Sequence, residues 1–295
     1  MQIFPNIYVT PIHLPQKQFK DSYGNANAYV TMNPSLYITP NGDITMLVRS
    51  VNYRKYSDKQ FTLNQLPHSV STYTICRGKM KSNTPLVFNF TIDDLTLEYN
   101  QPTYSTYWKG MEDIRFITQY QVLVTIPEFN PGGNPSIFLA NIYNNTISYC
   151  IPCEPSKTEK NWMPFLVKDE AMAIYSIDPF LVKSVLDPEL IPIATSLPPL
   201  KGYHGSTNGL AYKDGFLFLI HQSRDISYHR WLYYNPSTTD VKVSDEFIFF
   251  KNTYIEFPCS LCEWESRIFI SIGINDDTAY IIEVSKRDIE SFFPL

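Results

Sequence analysis

The chain has 295 residues, 44% hydrophobic, 15% aromatic and 18% charged, so it can bury a large core and does not read as disordered. A net charge of −5 excludes the basic footprint of a nucleic-acid-binding protein. No apolar run approaches the roughly 20 residues of a membrane helix, and the amino end lacks the basic and apolar regions of a signal peptide, so a cytoplasmic protein without a membrane partner is expected.

Strand signals run from end to end, and helical periodicity is almost missing. Short runs rich in β-branched and aromatic residues fall at 35–39, 43–51, 72–75, 86–90, 114–117, 121–126, 137–142, 171–176, 209–212, 216–221, 231–234, 246–250, 267–272 and 279–284. Turn clusters such as Pro40-Asn41-Gly42-Asp43, Asn130-Pro131-Gly132-Gly133-Asn134 and Lys213-Asp214-Gly215 separate them. The 22 prolines leave little room for helices, and the spacing predicts two short ones, around 178–185 and over 285–293. Many short strands over this length mean a propeller, a pair of sandwiches or a large barrel. Five polar landmarks decide among these: Asn33-Pro34-Ser35, Glu112-Asp113, Lys160-Asn161-Trp162, His204-Gly205-Ser206 and Glu256-Phe257 each open an apolar run. They divide the chain into segments of roughly 50–60 residues, near the length of a four-stranded blade with its loops. The expectation is an all-β, single-domain, five-bladed β-propeller over residues 1–295, with short amino- and carboxy-terminal extensions. The innermost strand of each blade would line the axis and carry the landmarks into one funnel.

The stretch Gly110-Met111-Glu112-Asp113-Ile114-Arg115-Phe116-Ile117 sets two adjacent carboxylates and an Arg in an apolar run. Strand alternation places Asp113 and Arg115 on one face and Glu112 on the other. Such a carboxylate, contested between burial and a cation, is a candidate for acid/base work. On this stretch alone a buried structural Asp–Arg pair is the simpler reading. Arg49, Asn52 and Tyr53 end the apolar run that starts at Met46, and Arg49 can fork onto a carboxylate or an anionic ligand, or reach solvent. Lys160, Asn161 and Trp162 combine donors with an aromatic face suited to a sugar ring, or else form a blade corner around a core Trp. His204, Gly205 and Ser206 form a small polar segment that lets the backbone approach a ligand, without a Walker loop or a nucleophile elbow around Ser206. His221, His229 and Arg230 gather three basic groups within ten residues, enough to suggest an anion site. Asp276 sits in Gly273-Ile274-Asn275-Asp276-Asp277, either a hairpin turn or a carboxylate reaching the axis.

Two C-x-x-C pairs, Cys150/Cys153 and Cys259/Cys262, lie over a hundred residues apart, far from the roughly 15–20 of a zinc ribbon. With Cys76 they read as small buried hydrophobes, with zinc the alternative if the fold brings the two pairs together; neither a metal nor a cofactor is expected. Sequons at Asn89 and Asn144 mean little without a secretory signal.

Taken in order, the landmarks resemble the five-bladed propeller enzymes of glycoside hydrolase family 130, the mannoside phosphorylases and their hydrolase relatives, and the related mannosyltransferases. The matching residues are Asn33-Pro34 with Arg49, Glu112-Asp113-Ile114-Arg115, Lys160-Asn161-Trp162, Gly205 to His221, and Gly273-Ile274-Asn275-Asp276. The resemblance implies an enzyme making or cleaving a glycosidic bond of a β-mannoside-like substrate with inversion. It implies Asp113 as proton donor, directly or through a sugar hydroxyl, Asp276 as a sugar-binding carboxylate, and Arg49, Arg115 and Lys160 around the pocket. The partners implied are an oligosaccharide or simple sugar, with phosphate or a sugar nucleotide as co-substrate. Ile114 stands where the family has Pro, and Tyr175-Ser176 where the phosphorylases carry an Arg. Water or an acceptor sugar is therefore the alternative to phosphate, with His204, His229 and Arg230 as a replacement anion site. A sugar-nucleotide-dependent transferase and a non-catalytic glycan- or protein-binding propeller are the other readings.

Overall fold

The computed structural model describes residues 2–57, 60–63, 68–81, 90–100, 102–150, 154–194, 197 and 200–295. Among them lie five sheets of four or more strands. The first is built on Val30–Ile38, Asp43–Val51, Ser69–Lys79 and Thr91–Leu95, the second on Glu112–Phe116, Gln121–Thr125, Ile137–Asn141 and Thr146–Cys150. The third comprises Met163–Val167, Glu170–Ile177, Phe180–Ser184 and Ile191–Pro192. The fourth centres on His204–Gly205, Gly215–Ser223 and Ser227–Asn235, the fifth on Glu256–Trp264, Arg267–Ile274 and Thr278–Ser285. The strands named here pair antiparallel within each sheet, as short connections and alternating strands dictate.

The sheets form a β-propeller. An apolar cluster fills the gap between each sheet and the next: Leu47, Tyr73 and Phe138 between first and second, Leu123 and Trp162 between second and third, Phe165 and Phe218 between third and fourth. Trp231 and Ile270 join the fourth to the fifth, and Met46 with Phe269 joins the fifth back to the first. Burying both faces of every sheet is what closes the arrangement into a ring. The sheets are less uniform than equal fifths: three have four strands, one has five and one seven. The amino-terminal segment is more than an extension. Tyr8–Pro11 adds an outer strand to the fifth sheet, and Gln2–Ile3 pairs in parallel with Phe247–Ile248 of the fourth.

The helix expected over 178–185 is a strand, Phe180–Ser184. Its alternating Phe180 and Val182 turn inward, and it pairs with Glu170–Ile177 on one side and Ile191–Pro192 on the other. The carboxy-terminal helix forms over Lys286–Phe292, where Ser285 caps it by accepting from Asp288 N at 3.0 Å and Ile289 anchors it in the core. The strand expected at 86–90 lies largely outside the described residues, as does Asn89.

Each landmark lies in, or just before, a strand at one edge of its sheet: Asn33-Pro34-Ser35 within Val30–Ile38, Glu112-Asp113, His204-Gly205 and Glu256-Phe257 at strand starts, and Lys160-Asn161-Trp162 directly before Met163–Val167. The strands that open the first, second and fifth sheets also shift register where polar residues enter, between Met32 and Ser35, Glu112 and Arg115, and Pro258 and Ser260. A bulge of this kind re-aims side chains at the rim of a ring. Asn33 (φ +40°) and Asp113 (φ +45°) stand in the left-handed region at two of these shifts, and Asn161 (φ +63°) does so just before Met163–Val167, a conformation that Asn and Asp tolerate best among side-chain-bearing residues.

Candidate active site

A cavity of about 460 Å³ opens at these strand mouths. Of the residues singled out from sequence, Arg49, Glu112, Asp113, Lys160, Asn161, His204, His221 and Asp276 line it. They come from all five landmarks or the strands that follow them.

Arg49 is the electrostatic centre. It closes an apolar strand, is 5% exposed, and is fixed by Nε donating to Ser71 Oγ at 2.8 Å. Its Nη2 donates to Glu112 Oε1 and its Nη1 to Asp113 Oδ1 at 3.2 Å. It forks onto carboxylates and does not reach solvent. Asn33 Nδ2 approaches the same Asp113 oxygen at 3.5 Å. Burial pushes the Glu112 carboxyl above its usual range; Arg49 pulls against this and Asp113 adds to it. One guanidinium thus serves two carboxylates, and the trio carries excess negative charge. Burial therefore favours the protonated form of Glu112.

The expected Asp113–Arg115 pairing gives way to this clamp. The left-handed turn at Asp113 breaks the strand alternation that would have put their side chains together. Arg115 lies buried beneath the cavity, donating from Nη1 to the Asp113 carbonyl at 3.2 Å and from Nε to the Ser206 carbonyl, with its guanidinium 5.9 Å from the Phe257 ring centre. It ties the second sheet to the fourth and fifth. Tyr73 Oη accepts from Ile114 N at 3.2 Å and supports the same bulge.

Several other expected residues do not face the cavity. Asn52 is buried and binds Val70 N and the His68 carbonyl. Trp162 is buried, donating to Glu159 at 3.1 Å beneath the Lys183 ammonium. Ser206 donates to the Pro258 carbonyl at 2.7 Å. Gly205 serves a close approach to backbone, because a Cβ there would sit 2.1 Å from the Asn161 carbonyl oxygen. His229 is fully buried with Nε2 at 2.9 Å from Glu256 Oε2. Glu256 also accepts from Phe249 N, Phe250 N and Thr253 Oγ1, which together with His229 hold it ionised against burial. Arg230 donates to the Tyr203 hydroxyl and the Ser244 carbonyl.

His221 does line the cavity, packed edge-on to Phe257 with ring centres 5.0 Å apart. Burial, reinforced by His229 and His204, pushes its imidazole well below 6.5, so it is a neutral hydrogen-bonding group at pH 7. Asn275 and Asp276 both have φ above +50°, in a tight hairpin that turns Asp276 to the cavity. Sequence reading missed the apolar wall: Tyr53 and Trp108, edge to face at 5.9 Å, with Phe257. Tyr53 ends the Arg49 run and Phe257 belongs to a landmark, but nothing in the pattern marked Trp108. Cys76, Cys259 and Cys262 are buried free thiols; the Cys150 side chain and Cys153 lie outside the description. Among the described residues no three His, Cys, Asp or Glu side chains gather as a metal site, and no helix is long and apolar enough to cross a membrane.

No protein-family model matches the chain, and no curated protein matches it in sequence. Solved structures do match. The β-1,2-mannobiose phosphorylase from Listeria innocua, in complex with β-1,2-mannobiose, superposes with TM-score 0.62 at 14% identity, covering 97% of this chain and 98% of that one. A glycosyl hydrolase from Bacteroides ovatus gives 0.62 at 11% identity over 94% and 90%. A mannose phosphorylase from Leishmania mexicana, in complex with phosphate, gives 0.52 at 8% identity over 90% and 86%. The chain therefore has the propeller fold of mannoside phosphorylases and glycoside hydrolases, from end to end.

Proposed function

We propose that the protein is a carbohydrate-active enzyme that breaks or forms the glycosidic bond of a β-mannoside-like substrate with inversion. The observation that carries this is the Glu112–Asp113 pair, held by the single guanidinium of Arg49 at the wall of a cavity that also contains Asp276 and an aromatic side. Such a wall suits a sugar: carboxylates and amides meet hydroxyls, and the aromatic faces meet the ring. Asp113 delivers a proton, directly or through a sugar hydroxyl, to the bridging oxygen. The C1–O bond breaks as the nucleophile's oxygen bonds to C1 from the opposite face. The likeness in fold to phosphorylases and hydrolases supports this reading.

Transfer from a sugar nucleotide is less well supported. That reading needed His221, His229 and Arg230 together to meet a diphosphate, and two of the three are committed elsewhere. Lys160 and His204 remain at the cavity for phosphate, while water needs no cation. The test is Asp113→Asn, assayed on β-mannosides with phosphate and with water. Turnover should fall by about 10²–10⁴-fold with little change in melting temperature. Undiminished turnover in that variant would remove Asp113 from the chemistry.

A further inference from the structure

His221 and His229 stand directly opposite each other on adjacent strands of the fourth sheet, so both project from the same face, toward Glu256 and Phe257 at the start of the fifth. His221 reaches the cavity, while His229 is 0% exposed and packs against Phe247 and Phe249. The Nδ1 atoms of both rings are buried and have no hydrogen-bond partner among the described residues. We propose that Glu256 and His229 are positioning residues for His221: they fix its ring with the proton on Nδ1 and leave Nε2 bare toward the cavity. The inference rests on the reading above that this cavity takes a glycoside. It gives the incoming nucleophile an acceptor and not a donor.

The proton positions follow from the core outward. Glu256 accepts from Phe249 N and Phe250 N, each at 2.9 Å, and from Thr253 Oγ1 at 2.6 Å, so it stays ionised and can only accept. His229 must therefore donate to it from Nε2, 2.9 Å away. A neutral ring that donates from Nε2 carries a lone pair on Nδ1. An imidazolium would instead bury a charged Nδ1–H with no acceptor, the costlier arrangement. His221 is neutral at pH 7, so it has one N–H to place. Across the strand pair stands the lone pair of His229, and a second lone pair facing the first would repel it. The proton of His221 therefore belongs on Nδ1, and Nε2 is the polar atom left for the cavity.

A bare Nε2 accepts from an O–H group and repels a phosphate oxygen. The rest of the lining agrees. Glu112, Asp113 and Asp276 are carboxylates, and Arg49 is committed to the first two. Burial and Lys160 hold His204 below its ordinary pKa, so it adds no charge at neutral pH. Water is thus the nucleophile that Nε2 orients. Its oxygen bonds to C1 as the C1–O bond to the leaving sugar breaks. The leaving oxygen takes the Asp113 proton, and the proton shed by the water passes to solvent, from which Asp113 regains one.

Long-range ¹H–¹⁵N NMR of the labelled wild type at pH 7 reads the tautomer without turnover, with His221→Asn identifying the His221 signals. Nδ1 should show the shift of a protonated ring nitrogen and Nε2 that of a bare one. Glu256→Gln removes the charge that fixes His229, and His229→Phe removes the facing Nδ1. Each should return His221 toward the Nε2–H form that free histidine side chains prefer. In whichever variant folds better, kcat for β-mannoside hydrolysis should fall about tenfold with KM little changed. Wild-type turnover in phosphate should release free sugar and no sugar phosphate. A wild-type proton on Nε2, a His221 spectrum unchanged in both variants, or a sugar phosphate as product would overturn the proposal. The two readings fail separately. The expected spectra beside a wild type that turns over no mannoside would sink only the catalytic reading. Normal turnover with the proton on Nε2 would sink only this one.

Discussion

Arg49 Nη1 lies 3.2 Å from Asp113 Oδ1 across 64 residues of sequence, while the other arm of the same guanidinium holds Glu112. A buried cation between two adjacent carboxylates, which are 22% and 19% exposed, sets both the charge of the site and much of its local stability.

Replacing Arg49 by Met leaves that pair facing each other without the guanidinium bound to both, with only the Lys160 ammonium acting on Glu112 in its place. Removing one partner of a buried ion cluster costs about 3–5 kcal/mol, and the partial exposure of the carboxylates puts this case near the lower end. Urea unfolding at pH 7 should show a loss of about 3 kcal/mol. The deficit should shrink at acid pH, because Glu112, already biased toward its protonated form by burial, is neutralised there. An unchanged midpoint would show that the clamp contributes nothing to folding.

Gly205→Ala should damage fold and site together. The new Cβ would stand 2.1 Å from the Asn161 carbonyl oxygen and 2.7 Å from Met163 Cγ. The backbone contact must open, at a cost of about 1–3 kcal/mol, and Asn161 and His204 move with it. A lowered melting temperature accompanied by weaker sugar binding is the expected pair of results. An alanine variant as stable as the wild type would mean that this crossing is compliant.

His221 should resist protonation in the folded protein. Burial lowers its pKa, and His229, His204, Arg115 and Lys160 add to the effect. The unfolded chain takes up this proton near pH 6.5, so below that pH the unfolded state binds more protons and stability falls as acid is added. Imidazole resonances followed by NMR from pH 8 to 6 should show no titration of His221, and His221→Asn should flatten the acid limb of stability against pH. A His221 midpoint near 6.5 would contradict its burial.

Much of the fold was legible because strand alternation and turn chemistry are local. The Asn-Gly and Asp-Gly turns and four of the five polar landmarks sit in sequence at or next to strand ends, and the fifth, Asn33-Pro34-Ser35, lies within Val30–Ile38. The expected helix at 178–185 failed for a local reason too: Phe180 and Val182 alternate toward the core, and a five-residue span is too short to be told apart by period alone. Tyr8–Pro11 went unread because its place in the fifth sheet depends on a partner some 270 residues away in the chain.

The sequence by itself determined a propeller of short strands and put Arg49, Asp113, Lys160, His221 and Asp276 at the tips that reach one cavity. Only the tertiary structure decided who pairs with whom. A left-handed residue at Asp113 turns its carboxylate away from Arg115 and onto Arg49, while neighbouring backbone and Glu256 claim Ser206, Arg230 and His229. The reason is physical: alternation predicts the face a side chain leaves from, but a bulge re-aims it, and its partner is set by which strands the closed ring brings alongside.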